Sequence, residues 1–177
     1  MNNQQHFLKL YSEFTEVCAT LGVTDPFNYN RARELHTSIL LGHRISPTLD
    51  GPDAFYNDLP VEYKSTIGKK IQATYNGIAV LPTWEEQEIY LRNEKIGKYP
   101  YHFWTRYEGS TLVECIRFTA DQILDEILPK LKKQYESCAK KKDPLLVITI
   151  RCKEFINRGI RIIFSSVLSL LYSVLLF

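Results

Sequence analysis

The 177-residue sequence is poor in the residues and motifs that mark several common protein classes. It has four cysteines without a Cys-x-x-Cys pair, and its four histidines do not stand at zinc-ligand spacing from them. It contains no P-loop, no Gly-x-Gly-x-x-Gly fingerprint and no Gly-x-Ser-x-Gly elbow. Nothing in the motifs therefore points to a zinc ribbon, a nucleotide-binding fold or a serine hydrolase.

The charge balance is also weak, with a formal net charge of +2. This value neither identifies nor excludes a nucleic-acid-binding protein, because the clustering of charge on one face matters more than the total. An apolar content of 45% and a charged content of 24% are ordinary for a folded protein. No apolar segment follows the polar residues 1–5, and the cysteines suit reduced thiols, so we expect a cytoplasmic protein.

The C-terminal segment differs from the rest, because no charged residue occurs from Ile162 to Phe177. It is shorter than the roughly 20 residues that span a bilayer as a helix. Three interpretations remain: a terminal helix or strand packed on the core, a segment foreign to the fold after about Lys153, or a tail anchor. We expect a single domain over residues 1–153, followed by this apolar tail over residues 154–177.

Apolar periodicity and capping residues predict four helices. Residues 6–21 carry apolar side chains at helical spacing, and Gly22 follows as a stop. The other helices are expected at about Asn30 to Leu41, Thr83 to Asn93, and Thr119 to about Lys140. The last begins with a capping box, and Pro129 should kink or split it.

Strands are predicted outside these helices, at residues 59–67, 71–80, 99–107, 111–118 and 145–150. Asn76-Gly77 predicts a hairpin turn, and residues 145–150 read as a buried strand. In the strand at 99–107, His102, Trp104 and Arg106 alternate with Tyr101, Phe103 and Thr105. Either set can be the one that faces DNA. The order of elements predicts a mixed α/β domain with a central sheet.

The most informative segment combines two acids with a lysine. Asp53 follows Gly51-Pro52 in a predicted turn, and Glu62-Tyr63-Lys64 lies in the next predicted strand. Side chains alternate along a strand, so Glu62 and Lys64 point to the same face. Two carboxylates and an ammonium group suit metal-assisted hydrolysis of a phosphodiester.

Pro52-Asp53 and Glu62-Tyr63-Lys64 together resemble the motif of the PD-(D/E)xK nucleases. In layout and size, residues 28–151 are most similar to the small type II restriction endonucleases. The resemblance implies an α/β fold with a restriction-endonuclease-like core, in which helices flank a central mixed β-sheet. It further implies a Mg²⁺ site with the ligands Asp53, Glu62, the Tyr63 carbonyl and Glu34, and makes Lys64 the catalytic lysine beside Asp53 and Glu62.

Each of these residues also has an ordinary structural interpretation. Asp53 can be a turn acid, and Glu62 and Lys64 can form a strand-edge salt bridge. Glu34 can pair with Arg31, since residues three or four apart on a helix are neighbours. Asp50 competes with Asp53 for the role of metal ligand, because it stands only three residues away.

A polar and basic stretch follows the predicted Glu62–Lys64 strand and suits contact with DNA. Lysines neutralise phosphates, and Gln and Asn pair with adenine edges. The candidate residues are Lys69, Lys70, Gln72, Tyr75 and Asn76, with a solvated loop as the alternative. The lysines of residues 130–133 and 140–142 stand near a helix C-terminus and are expected to be solvated.

The resemblance implies a Mg²⁺-dependent endonuclease that cleaves double-stranded DNA at specific sites in a restriction-modification system. A homodimer acting on palindromic DNA and a cognate DNA methyltransferase are the expected partners. Two alternatives remain open. The first is a DNA repair or recombination nuclease of the same fold. The second is a DNA-binding or membrane-associated protein without catalysis.

Overall fold

The computed structural model describes residues 2–23, 25–27, 30–48, 50–138, 144–151 and 153–164. The chain divides into two compact units, Met1–Asp58 and Leu59–Phe177. Glu34, Asp50 and Asp53 belong to the first unit, and Glu62 and Lys64 belong to the second. The expectation of one nuclease domain over residues 1–153 stays a prediction.

The first unit contains two helices and two short strands: α1 (Asn3–Thr20), α2 (Arg31–Leu41), β1 (Arg44–Ile45) and β2 (Ala54–Tyr56). Asn2 caps α1 through reciprocal hydrogen bonds with Gln5. β1 and β2 pair antiparallel, and the buried centre is formed by Cys18, Val23 and Leu35. The two helices predicted in this part of the chain are confirmed.

A mixed sheet organises the second unit. Its strands are β3 (Leu59–Thr66), β5 (Tyr101–Glu108), β6 (Thr111–Thr119) and β8 (Ile160–Phe164). β3 and β5 run parallel, whereas β5 with β6 and β6 with β8 are antiparallel. The predicted 59–67 strand and the hairpin of β5 and β6 are confirmed.

A separate two-stranded sheet pairs β4 (Ala73–Ala79) with β7 (Leu145–Ile150). The predicted hairpin turn at Asn76-Gly77 is wrong. β4 continues through these residues, and a register shift between Tyr75 and Ile78 marks a β-bulge. Gly77 has φ +60°, a value that glycine adopts without a steric penalty. The conformational freedom of Asn76-Gly77 is therefore used in a β-bulge and not in a hairpin turn.

Three helices and one π-helical turn complete the second unit: α3 (Trp84–Tyr90), the π-turn Leu91–Lys95, α4 (Ala120–Cys138) and α5 (Lys153–Ile156). Thr83 and Glu86 form the capping box of α3, and Thr119 bonds reciprocally with Gln122 at the start of α4. α4 is not split at Pro129, which is exposed and lies within one continuous helix.

The core of the second unit lies between the sheets and α4. Its largest fully buried side chains include Trp104, Phe118 and Phe155. β7 is a strand as predicted but is not buried on both faces, since Leu145 and Val147 are exposed and Leu146 and Ile150 are buried. The expected α/β fold with a mixed central sheet flanked by helices is confirmed at this level.

The predicted apolar tail begins within the described residues. Phe155 and Ile156 are buried in the core, and Phe155 stacks on Phe118 with ring centroids 4.8 Å apart. Gly159 directly precedes β8, and a Cβ atom there would lie 2.4 Å from the side chain of Ile116 on β6, so a larger residue would force its neighbours to shift. Residues 165–177 lie outside the described residues. Within the described part, no helix is long and apolar enough to cross a membrane.

Candidate active site

Glu62 and Lys64 lie on the same face of β3 and form an ion pair. Their side chains keep 19% and 24% of their accessible surface. Both charged ends are therefore partly shielded from water, yet another molecule can reach them. Lys64 Nζ also lies 5.4 Å from the ring centroid of Tyr75, which adds a cation–π contact.

Below this pair, the register of the parallel strands brings buried polar side chains to the same face. Glu62 is the partner of His102, and Lys64 is the partner of Trp104. His102 and Trp104 have no exposed surface. The interpretation that His102 and Trp104 face DNA is therefore wrong. Phe103 and Thr105 on the opposite face are buried as well, because β5 is covered on both sides.

Three side chains form a closed hydrogen-bond network at this position, which we call the buried network: Tyr75, His102 and Trp104. Trp104 Nε1–H donates to the Tyr75 hydroxyl at 3.2 Å, and this hydroxyl lies 3.1 Å from His102 Nδ1. His102 Nε2 lies 3.1 Å from the carbonyl oxygen of Ile96. Because a carbonyl can only accept, Nε2 carries the proton and Nδ1 accepts from Tyr75.

Burial determines the protonation states in the network. It lowers the pKa of His102 to about 4, against the opposing effect of the Glu62 charge. It also raises the pKa of Tyr75, and the negative charge of Glu62 adds to this shift. His102 is therefore neutral and Tyr75 protonated near pH 7. The network supports Glu62 and Lys64 without adding a net charge.

Tyr63 points away from this face, as the alternation along the strand predicts. Its side chain is buried and packs edge-on against Phe103, with ring centroids 5.9 Å apart. Any role of Tyr63 at the Glu62–Lys64 face is therefore limited to its main chain, in keeping with the carbonyl role that the family resemblance implies.

The candidate acids of the first unit occupy a turn and a helix. Asp53 directly precedes β2 and is half-buried, whereas Asp50 is exposed. Glu34, on α2, forms an ion pair of 3.4 Å with Arg31. Arg31 is buried and also donates to the carbonyl of Ser46. Glu34 thus has a structural partner, as the ordinary interpretation expects.

The residues predicted to bind DNA are divided between the surface and the core. Lys69, Lys70 and Asn76 are exposed, and Gln72 is half-buried. Tyr75 is different, because its side chain is buried and its hydroxyl belongs to the buried network. In this structure Tyr75 supports the Glu62–Lys64 face from within the fold.

The donor chemistry of this face fits a magnesium ion. Mg²⁺ prefers hard oxygen ligands, keeps several waters and commonly uses one or two carboxylates together with substrate phosphates. Glu62 supplies one partly exposed carboxylate at this face. Among the described residues, no three His, Cys, Asp or Glu side chains come together as a metal cluster.

Sequence reasoning missed the buried network and several cations near Lys69 and Lys70. The network joins Tyr75 of β4 to His102 and Trp104 of β5, which lie 27 and 29 residues further along the chain, and no local signal predicts this contact. Arg151 and Lys153, which follow β7, lie in the same depression as Lys69 and Lys70. Their spacing just after a predicted strand was the available signal.

Comparison with known proteins adds no family assignment. No protein-family model matches the chain, and no curated protein matches it. The functional interpretation therefore depends on the residues of β3, on the buried network and on the charge distribution around them.

Proposed function

We propose that the protein is a Mg²⁺-dependent endonuclease of restriction type that hydrolyses phosphodiester bonds of double-stranded DNA. In this proposal the second unit provides the strand of a restriction-endonuclease-like core, and Asp53 precedes it in the chain as the first acid of the PD-(D/E)xK motif. Cleavage leaves a 5′-phosphate and a 3′-hydroxyl, because water attacks phosphorus and the bond to the 3′ oxygen breaks.

The observation that carries the proposal is the environment of the Glu62–Lys64 pair. A surface salt bridge is usually surrounded by water and contributes little to stability. This pair instead keeps about a fifth of its surface and lies over the buried network. Such support is expected where charged groups must be held in fixed positions for catalysis.

The residues divide the work as follows. Glu62, the Tyr63 carbonyl and Asp53 would hold the metal, with Glu34 as a further candidate. Bound Mg²⁺ supplies a Lewis acid at the phosphate and lowers the pKa of a coordinated water. The Lys64 ammonium donates hydrogen bonds and accepts none, so it orients the attacking water or neutralises charge on the phosphate.

His102 is a positioning residue in this proposal. Both of its ring nitrogens are already bonded, and its low pKa makes it a poor proton acceptor. It therefore does not take the proton of the attacking water. Together with Tyr75 and Trp104, it forms the hydrogen-bonded layer that holds Glu62 and Lys64 in position.

The proposed partners follow from this activity. A homodimer would match the two-fold symmetry of a palindromic site, and a DNA methyltransferase would protect the host DNA. A repair or recombination nuclease of the same fold would use the same residues. The DNA ends distinguish the two kinds of nuclease, because a restriction enzyme cuts at one short recognition sequence and every end then carries the same sequence.

The test is a digest of phage DNA by the purified protein with Mg²⁺, followed by sequencing of the ends. We expect discrete fragments whose ends share one short sequence. The Lys64→Ala variant should lose cleavage, because it removes the ammonium group that orients the attacking water or neutralises charge on the phosphate. A matched control is Arg92→Ala, which removes a cation paired with Glu88 on the exposed side of the chain segment 84–95.

The control should cleave like the wild type. The nuclease proposal fails if the wild-type protein, shown to be folded, leaves DNA intact with Mg²⁺ and also with Mn²⁺. It fails equally if Lys64→Ala cleaves at the wild-type rate, since the activity would then come from elsewhere.

A further inference from the structure

A basic depression lies in the second unit beyond the end of β3. It has a volume of about 280 Å³. Six of its ten lining residues are Lys or Arg, and only one is acidic. The cations are Lys69, Lys70, Arg106, Arg151, Lys153 and Arg161, and we call them the basic cleft.

The charges of the basic cleft are only partly neutralised. Glu114 accepts from Arg161 Nη1 at 2.6 Å and from Arg106 Nε at 3.4 Å. The side chains of Lys69, Lys70, Arg151 and Lys153 form no ion pair with any residue that the structure describes. Clustered cations repel one another unless an anion is bound, so this arrangement favours an anionic ligand.

The role of Glu114 is consistent with such a ligand. One carboxylate holds two guanidinium groups from different strands, Arg106 on β5 and Arg161 on β8. Arg161 keeps 34% of its side-chain surface. A guanidinium group with this exposure is accessible to a bound anion, and guanidinium donors match the oxygens of a phosphate.

The basic cleft shares a sheet face with Glu62 and Lys64. Thr66 is the partner of Arg106, and Arg106 is the partner of Glu114. Since side chains alternate along β3, Glu62, Lys64 and Thr66 point to one face together with Arg106 and Glu114. Four residues of strand cover roughly 13 Å, so an extended polyanion can contact both places at once.

We propose that the basic cleft binds the sugar–phosphate backbone of duplex DNA next to the phosphate that is cleaved. The inference rests on the proposed nuclease function and adds Arg106, Arg151, Lys153 and Arg161 to the DNA-binding surface. The ligand is a backbone and not a base, because the cleft offers cations and lacks the Asn and Gln pairs that read base edges from the groove. Asn157 is the one amide in its lining.

The experiment measures binding to a short fluorescent DNA duplex by anisotropy, in the Glu62→Gln background and without Mg²⁺, so that cleavage does not interfere. The test variant carries Arg151→Gln and Lys153→Gln, and the control carries Lys132→Gln and Lys133→Gln. Both remove two exposed cations, but the control pair lies on α4 and outside the cleft. Affinity is recorded between about 50 and 200 mM salt.

Each cation that contacts a phosphate adds about 0.9 to the slope of log K against log salt. We therefore expect the cleft variant to lose about 2 from this slope and the control to lose less than about 0.5. The inference is overturned if the cleft variant and the Glu62→Gln protein without cleft substitutions have equal slopes. An equal loss in the control overturns it too, and so does the absence of any DNA binding.

The two proposals fail separately, because cleavage is measured independently on the same proteins without Glu62→Gln. If the salt dependence changes with the cleft substitutions but the protein never cleaves DNA, the proposal that the cleft binds DNA stands and the nuclease proposal fails. If cleavage depends on Lys64 but the cleft substitutions do not change the salt dependence, the nuclease proposal stands and the proposal for the cleft fails.

Discussion

Glu62 and Glu114 occupy the same face of the β3–β5–β6 sheet, at two ends with different surroundings. Both are half-buried glutamates, with 19% and 16% of the side chain exposed, and both are paired with cations. Under Glu62 lies a buried network in which every polar atom has a partner. Around Glu114 lies the basic cleft, where four cations have no described ionic partner.

This difference shows how one sheet face can divide its work. A catalytic group must be held in one position, and neutral hydrogen-bonded side chains do this without disturbing its charge. A binding surface for a polyanion gains from unneutralised cations, which attract the ligand and release its counterions. Substitutions at the Glu62 end are thus expected to change the stability of the fold and the rate of cleavage. Substitutions at the Glu114 end are expected to change the affinity for DNA.

The largest expected contrast comes from making the same substitution at both ends. Glu62→Gln should lower the cleavage rate about 1000-fold, or about 4 kcal/mol, because it removes a charge that would hold the metal. Glu114→Gln should change the rate at saturating DNA by less than about 10-fold, since Glu114 does not contact the reacting phosphate. Single-turnover cleavage with excess protein measures both.

Urea unfolding of both variants serves as the control for folding. Equal losses of rate for the two variants would contradict the division into a catalytic and a binding end. A fast Glu62→Gln enzyme would remove Glu62 from the proposed metal ligands.

The next effect concerns pH and belongs to the Glu62 end alone. The pKa of His102 is lowered by burial to about 4, below its ordinary value of 6.5. The unfolded chain therefore binds this proton more tightly than the folded protein does. The resulting stability is complete above about pH 6.5 and is lost as the pH falls through about 4, by up to about 3 kcal/mol.

Urea unfolding at several pH values measures this loss. Burial also lowers the pKa of His36 and His43 in the first unit, so the His102 imidazole must be followed individually by NMR. It should keep the chemical shift of the neutral ring as the pH falls through 6.5. Titration of His102 near 6.5 would mean that the network is open to water.

A smaller effect follows from removing one hydroxyl group of the network. Tyr75→Phe leaves His102 Nδ1 without its donor and Trp104 Nε1–H without its acceptor, in a buried position. We expect a loss of about 2 kcal/mol in the free energy of unfolding. Tyr90→Phe is the matched control, because the Tyr90 hydroxyl makes no hydrogen bond to a described residue, and it should cost less than about 0.5 kcal/mol.

Urea unfolding of the two variants gives the comparison directly. Equal stability of Tyr75→Phe and the wild type would show that the hydrogen bonds contribute little. In that case Glu62 and Lys64 would lack the fixed support on which the comparison of the two ends depends.

The local elements of the fold could be predicted from the sequence because their signals are local. The period of apolar residues predicts α1, and the Thr119–Gln122 capping box predicts the start of α4. Alternation along β3 also places Glu62 and Lys64 on one face. These features depend on neighbours within a few residues, which the sequence displays directly.

The rest of the candidate site depends on pairing between distant segments. Asn76-Gly77 suits both a hairpin turn and a bulge, and the pairing of β4 with β7, about 75 residues away, selects the bulge. That pairing leaves Tyr75 pointing into the core, where it meets His102 and Trp104 instead of DNA. The basic cleft has the same origin, since its cations come from four separate parts of the second unit.

The smallest effect is expected at the cleft end, where a single charge should hardly affect stability. Lys70 is exposed and has no ion pair with a described residue, so Lys70→Gln should change the free energy of unfolding by less than about 0.5 kcal/mol. The sign should favour the variant, because the change relieves repulsion among the cations of the basic cleft. Urea unfolding at low ionic strength, where screening is weakest, is the measurement. A loss of more than about 1 kcal/mol would show that Lys70 supports the fold, and the two ends would then no longer differ in the way that their surroundings indicate.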